Sequence, residues 1–145
     1  MATDPIDTFL SEWHRIVGEK NLTDLRGKLA PDISMGAPPY WNKLQDRDMV
    51  HHLLGIVINT IEDFTYHREW REGREIALEF TGHVGGLDVQ GIDLITLDAQ
   101  SLVQNLDVLM RPINSVLALR DAIAPQMAAY LARRAESRED AKTPS

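Results

Sequence analysis

Two aspartates sit inside apolar, strand-like sequence. Asp93 lies between Ile92 and Leu94, and Asp107 lies between Leu106 and Val108. An ionised carboxylate in a core is costly unless it is paired or hydrogen-bonded. Two carboxylates that share a poorly hydrated site push one pKa up, so one can donate a proton while the other accepts one. Strand alternation puts Val89, Gly91, Asp93 and Ile95 on one face, and Val103, Asn105, Asp107 and Leu109 on one face of the next strand. If the strands pair with those faces matched, Asp93 and Asp107 come together as an acid/base pair. The competing structural role is a buried Asp that accepts backbone N–H bonds at a bulge, or that pairs with an Arg or His.

Other side chains could complete a pocket. His67 lies opposite Tyr66 in an alternating run and can point into a pocket or out from a sheet. Tyr40 and Trp41 follow Pro38-Pro39 in an ordered-loop pattern, which makes Trp41 a candidate rim residue. Trp13, Phe64, Tyr66, Trp70 and Phe80 can line an apolar cavity or simply fill a core. His14, His51, His52, His67 and His83 form no H-x-x-x-H or H-x-H pair, so no metal site is expected. There is no phosphate loop, no G-x-G-x-x-G and no G-x-S-x-G, so no cofactor is expected.

The composition narrows the class. A chain of 145 residues with 43% hydrophobic content suits one globular domain. The formal net charge is −7 and no block of Lys and Arg stands out. Nucleic acid and anionic membrane surfaces are therefore not the expected partners. The absence of cysteine removes a disulfide framework, a thiolate metal site and a cysteine nucleophile. No basic n-region, apolar h-region or membrane-length apolar run is visible, so a cytoplasmic protein is expected.

The elements that must position these residues follow from periodicity. Asp4 and Pro5 open a helix whose stripe is Ile6, Phe9, Leu10, Trp13, Ile16 and Val17, with Gly18 as its stop. Leu22, Leu25 and Leu29 suggest a short second helix closed by Pro31. Ile33 and Met35 suggest a short strand. Met49, Val50, Leu53, Leu54, Val57, Ile58 and Ile61 give a third helix a wide apolar face. Four strands then follow in meander order, with turns near Glu72-Gly73, at Gly85-Gly86 and at "DAQS". In this pattern Phe64, Tyr66 and Trp70 share one side of their strand. Pro112 opens a final helix, with Pro125 expected to kink or restart it. The expected fold is α+β: a curved antiparallel sheet wrapped around helices, in a single domain over residues 1–132, with a polar tail over 133–145.

The segments "FTYHREWREGREIALEFTGHVGGLDVQGIDLITLD" and "LVQNLDVLMRPINSVLALRDAI" resemble the SnoaL-like branch of the nuclear-transport-factor-two-like superfamily. The strand ending in "LDVLMRP" and the helix after it are the most distinctive part. The resemblance implies a cone, a strongly bent sheet around helices with a pocket at its open end. Relatives include ketosteroid isomerases, limonene epoxide hydrolases and polyketide cyclases. In the epoxide hydrolases an Asp on the last strand is the base, and an Arg-x-Asp on the preceding strand supplies the acid. Asp107 falls at the base position and Asp93 at the acid position, whereas Gly91 stands where that Arg would be.

The resemblance implies a cofactor-independent isomerase, cyclase or hydrolase acting on a hydrophobic small molecule, or a non-catalytic binding or dimerisation module. The candidate catalytic residues are Asp107 and Asp93, and the candidate pocket residues are Trp41, Tyr40, Tyr66, His67 and Asn105. Ile92, Leu94, Leu106 and Val108 are expected on the outer sheet face, with Met110 beyond. An apolar outer face calls for a partner, and a homodimer through the sheet is the economical one.

Overall fold

The computed structural model describes residues 4–142. Residues 1–3 and 143–145, the extreme ends of the expected domain and tail, lie outside the described residues. The elements run α1 (Pro5–Glu19), α2 (Leu22–Arg26), β1 (Leu29–Gly36), α3 (Arg47–Thr60), β2 (Glu62–Glu72), β3 (Glu75–Val84), β4 (Leu87–Leu97), β5 (Val103–Arg111) and α4 (Ile113–Lys142).

Local chemistry sets most boundaries. The Asp4 carboxylate accepts a bond from the Ile6 N–H at 2.9 Å, and Pro5 occupies the first turn of α1. Gly18 remains helical. The helix ends at Lys20, whose φ is 56°, and its N–H bonds back to the last carbonyls. Asp46 caps α3 by accepting from the Met49 N–H at 3.0 Å. Leu29 and Pro31 belong to β1 and not to a second helix.

The sheet order is β1-β5-β4-β3-β2. Strands β2 to β5 form the expected antiparallel meander, joined by turns at Gly73 and at Gly85-Gly86, all three with positive φ. The mixed character was not expected. β1 runs parallel to β5, with Ser34 beside Asn105 and Gly36 beside Asp107.

Two irregularities re-aim side chains. Between Tyr66 and Glu69 the register of β2 against β3 slips by one residue, a bulge. Phe64 and Tyr66 point inward, but Trp70, opposite Ala77, falls on the outer face. A second slip lies between Thr96 and Leu97. It turns Val103 inward while Asn105, Asp107 and Leu109 point outward. Accordingly Leu106, Val108 and Met110 lie on the inner face, and the apolar residues of the outer face are Ile92, Leu94, Leu109 and Trp70.

The core lies between the inner sheet face and the helices. Phe9, Leu10, Trp13, Ile16 and Val17 of α1 are all buried against it, and each contributes roughly 1.5–3 kcal/mol of apolar burial. α4 packs on α3 and on the ends of β3, β4 and β5. It continues unbroken through Pro125 to Lys142, so the stretch read as a polar tail is helical as far as it is described. Arg134 of α4 donates to Asp46 at 2.7 Å, and the Tyr130 ring stacks on His52 at 4.0 Å. No helix among the described residues is long and apolar enough to cross a membrane.

Candidate functional site

The inner sheet face and helices α1, α3 and α4 enclose a cavity of about 480 Å³. Its wall is mostly apolar. Among the described residues, the charged side chains lining it are Asp93 and Arg120. Asp93 comes from the middle of β4 and is only 7% exposed. Gly91, two residues earlier on the same face, explains how the wall closes there. A Cβ on Gly91 would lie 2.7 Å from the Leu109 carbonyl oxygen and 2.8 Å from Cε1 of Phe80. The Phe80 ring therefore fills the space that an arginine would need.

Asp93 is held by one chain of hydrogen bonds. The Tyr66 hydroxyl donates to Asp93 Oδ2 at 2.7 Å. Trp13 Nε1, reaching across from α1, donates to the same Tyr66 oxygen at 3.0 Å. Asp93 Oδ1 receives no hydrogen bond from the described residues and belongs to the cavity wall. Burial raises the Asp93 pKa to about 6, against the lowering effect of the Tyr66 bond. Burial, with the Asp93 charge beside it, pushes the Tyr66 phenol well above its usual range.

The two aspartates do not meet. In the β4–β5 ladder Asp93 is opposite Val108, and Asp107 is opposite Leu94. Directly opposed residues of an antiparallel pair share a face. Asp93 and Val108 therefore face the cavity, and Asp107 and Leu94 face outward. The expected pairing needed Asp107 one position further along, and the register of the ladder excludes it.

Asp107 has its own neighbourhood. Lys43 Nζ lies 3.0 Å from its Oδ1, and Asn105 Nδ2 donates to its Oδ2 at 2.9 Å. Asn105 also accepts from Ser34 Oγ at 2.7 Å and from Lys43 at 2.9 Å. Partial burial works against the Asp107 charge, but the bonds from Asn105 and Lys43 prevail and hold its carboxyl below the usual range.

Of the remaining expected pocket residues, Tyr40, Trp41 and Tyr66 do line the cavity, with Trp41 94% exposed at its rim. His67 and Asn105 do not. His67 shares a 2.7 Å bond with Thr81 Oγ1 on the outer face. Among the described residues no cluster of His, Cys, Asp or Glu could hold a metal ion. Lys43, Arg120 and Leu131 were not foreseen. Lys43 lies outside the segments that carry the resemblance, Arg120 lies within one but in no catalytic pattern, and Leu131 lies past the proline expected to interrupt its helix.

Three solved structures are similar to this chain. A steroid delta-isomerase from Pseudomonas aeruginosa matches with a TM-score of 0.83 and 30% identity, over 90% of this chain and 96% of that one.

This chain belongs to the SnoaL-like, nuclear-transport-factor-two-like superfamily.

A protein with a cystatin-like fold from Silicibacter pomeroyi matches with a TM-score of 0.79 and 36% identity, over 90% of this chain and 92% of that one. A superfamily protein of unknown function from Cytophaga hutchinsonii, with a TM-score of 0.62 and 14% identity over 79% of this chain and 97% of that one, shares the fold. No family model and no curated protein matches the chain. The expected superfamily and the α+β cone are thus both found.

Proposed function

We propose that the cone cavity binds a hydrophobic small molecule and that Asp93 is the group that meets its reactive or polar atom. The observation that carries this reading is the free Oδ1 of a buried carboxyl in a mostly apolar cavity. Such a pocket, mostly apolar with a few placed polar groups, is the usual form of a small-molecule site.

The reaction class that fits best is a proton shift within one substrate. A single carboxylate can take a proton from one carbon and return it to another, so no second acid is required. A pKa of about 6 leaves Asp93 able to act as base near neutral pH. The similarity to a protein named a steroid delta-isomerase supports this class. Hydrolysis is less well supported, because it needs a partner acid and Asp107 lies on the other face. A non-catalytic binding module is the second reading. It is favoured by Tyr66, whose proton is already committed to Asp93 and is not free to stabilise an oxyanion.

The test uses an unconjugated ketosteroid and its conjugated isomer, with wild type and Asp93→Asn. Isomerisation by the wild type that falls at least a hundredfold in Asp93→Asn, with steroid binding retained, supports the enzyme. Binding without turnover in both proteins supports the module. A cavity that binds no steroid, terpenoid or polycyclic aromatic in a thermal-shift panel contradicts both.

A homodimer through the outer sheet face is part of the same proposal. Leu94 and Leu109 are neighbours there, 38% and 58% exposed. A sedimentation profile that is dimeric for wild type and monomeric for Leu109→Glu supports it, and a monomeric wild type at micromolar concentration contradicts it.

A further inference from the structure

The surroundings of Asp93 say more about the ligand than its hydrophobicity does. Four aromatic rings form one contiguous part of the cavity wall that includes Tyr66, the hydrogen-bond partner of the carboxyl. Tyr66 bonds to it, and Trp13 bonds to Tyr66. Phe64 meets Tyr66 edge-on at 4.9 Å and stacks on Phe80 at 4.7 Å. Phe80 in turn lies against Gly91, two residues from Asp93 on the same face. All four rings line the cavity.

A buried carboxylate in an aromatic cavity wall is an incomplete arrangement. Its charge has been removed from water, and no cation of the described residues pairs with it. Among the described residues the one basic side chain lining the cavity is Arg120, and its guanidinium makes two bonds to Asp121, at 3.0 and 3.1 Å. A buried charge becomes far less costly when an opposite charge with hydrogen-bond donors faces it. Ring faces attract cations and repel anions. An ammonium on an apolar body satisfies both demands at once. It donates to Asp93 Oδ1 and lies against the faces of the surrounding rings. A neutral hydroxyl satisfies only the first demand, and a carboxylate satisfies neither.

We infer that the cavity selects an apolar amine, bound as its ammonium cation with the nitrogen directed at Asp93 Oδ1 and the aromatic wall around it. This rests on the reading of the cavity as a small-molecule site, and not on catalysis.

A protonation signature follows. The ammonium needs the ionised carboxylate, so binding holds Asp93 deprotonated and weakens as pH falls through about 6. The other titratable or charged groups near the carboxyl are few. Tyr66 from β2 is neutral in this range, Arg120 from α4 stays charged, and His14 of α1 meets Tyr66 edge-on at 5.2 Å and lies 3.1 Å from the Glu69 carboxylate. α3, β3 and β5 present only apolar side chains to the cavity.

The experiment is isothermal titration calorimetry of the full chain with a panel of phenylalkylamines, their isosteric alcohols and their isosteric carboxylates. Amines are expected to bind about ten- to a hundredfold more tightly than the alcohols, the range of one charge-assisted bond. That preference should vanish in Asp93→Asn, with an unchanged circular-dichroism spectrum and cooperative thermal unfolding as the check on folding. It should also shrink in Phe64→Leu, which keeps the carboxylate and removes a ring. Amines and alcohols that bind equally would overturn the inference and leave the apolar-site reading standing. Tighter carboxylates would overturn the inference as well. A panel in which nothing binds overturns the inference, and the steroid, terpenoid and polycyclic aromatic panel then decides the apolar-site reading separately.

Discussion

The Tyr66 hydroxyl spends its only proton on Asp93, 2.7 Å away, and its oxygen accepts from Trp13. That arrangement fixes the carboxyl by one oxygen and leaves the other open to an apolar cavity. It also leaves the Asp93 charge disfavoured, since burial is the main influence on its pKa and acts against its charge.

This penalty should be measurable as stability. The Asp93 pKa rises on folding from about 3.8 to about 6. In that window the folded state holds the proton more tightly than the unfolded state does. The stabilising contribution is therefore full below about 4 and is lost as pH rises through about 6. A shift of this size corresponds to about 3 kcal/mol. Asp93→Asn should therefore raise stability at neutral pH by about 1–3 kcal/mol, and it should remove this group's pH dependence. Urea unfolding from pH 3 to pH 8 checks it. A variant less stable than wild type at neutral pH would contradict the account.

Tyr66→Phe should act in the opposite sense. It removes the one hydrogen bond that lowers the Asp93 pKa and leaves Trp13 Nε1 without its acceptor. An orphaned buried donor costs about 1–3 kcal/mol. The variant should be destabilised by that order, and carbon-13 NMR should place the Asp93 midpoint above about 6.

Gly91→Ala should destabilise the fold by about 1–3 kcal/mol, the usual cost of overpacking. The new methyl meets the Leu109 carbonyl oxygen and the Phe80 ring. Gly91→Arg should not restore an epoxide-hydrolase arginine, because the ring already occupies the place. Thermal unfolding reads the first variant, and epoxide hydrolysis reads the second.

Asp107→Asn should leave cavity ligands bound with unchanged affinity. Its carboxylate and the Lys43 ammonium form a part-exposed pair on the outer face, and such pairs contribute about 0–1 kcal/mol. Calorimetry with any cavity ligand separates this outcome from a role in the site.

The superfamily and most elements were legible in the sequence because they rest on local signals. The apolar stripe of α1, the cap at Asp46, the glycine turns and the "LDVLMRP" strand each carry their own pattern. Asp93 and Tyr66 were legible as candidates for the same reason. Register was not legible. Whether Asp107 opposes Asp93 or Leu94 depends on ladder pairing, and a shift of one residue exchanges the two faces. Neither the bulge that moves Trp70 outward nor the slip that turns Val103 inward is marked by a glycine or a proline. The parallel pairing of β1 with β5 links segments about seventy residues apart, beyond the reach of any local pattern. Gly91 was visible as an irregularity, but its cause, the Phe80 ring, belongs to packing.

The most direct test of the central claim is a carbon-13 NMR titration of the Asp93 carboxyl, run free and with the tightest-binding member of a panel of steroids, terpenoids and phenylalkylamines. A midpoint near 6 in the free protein, moved by the ligand, is the predicted result. A midpoint near the ordinary value of 3.8 that no panel member moves would contradict it.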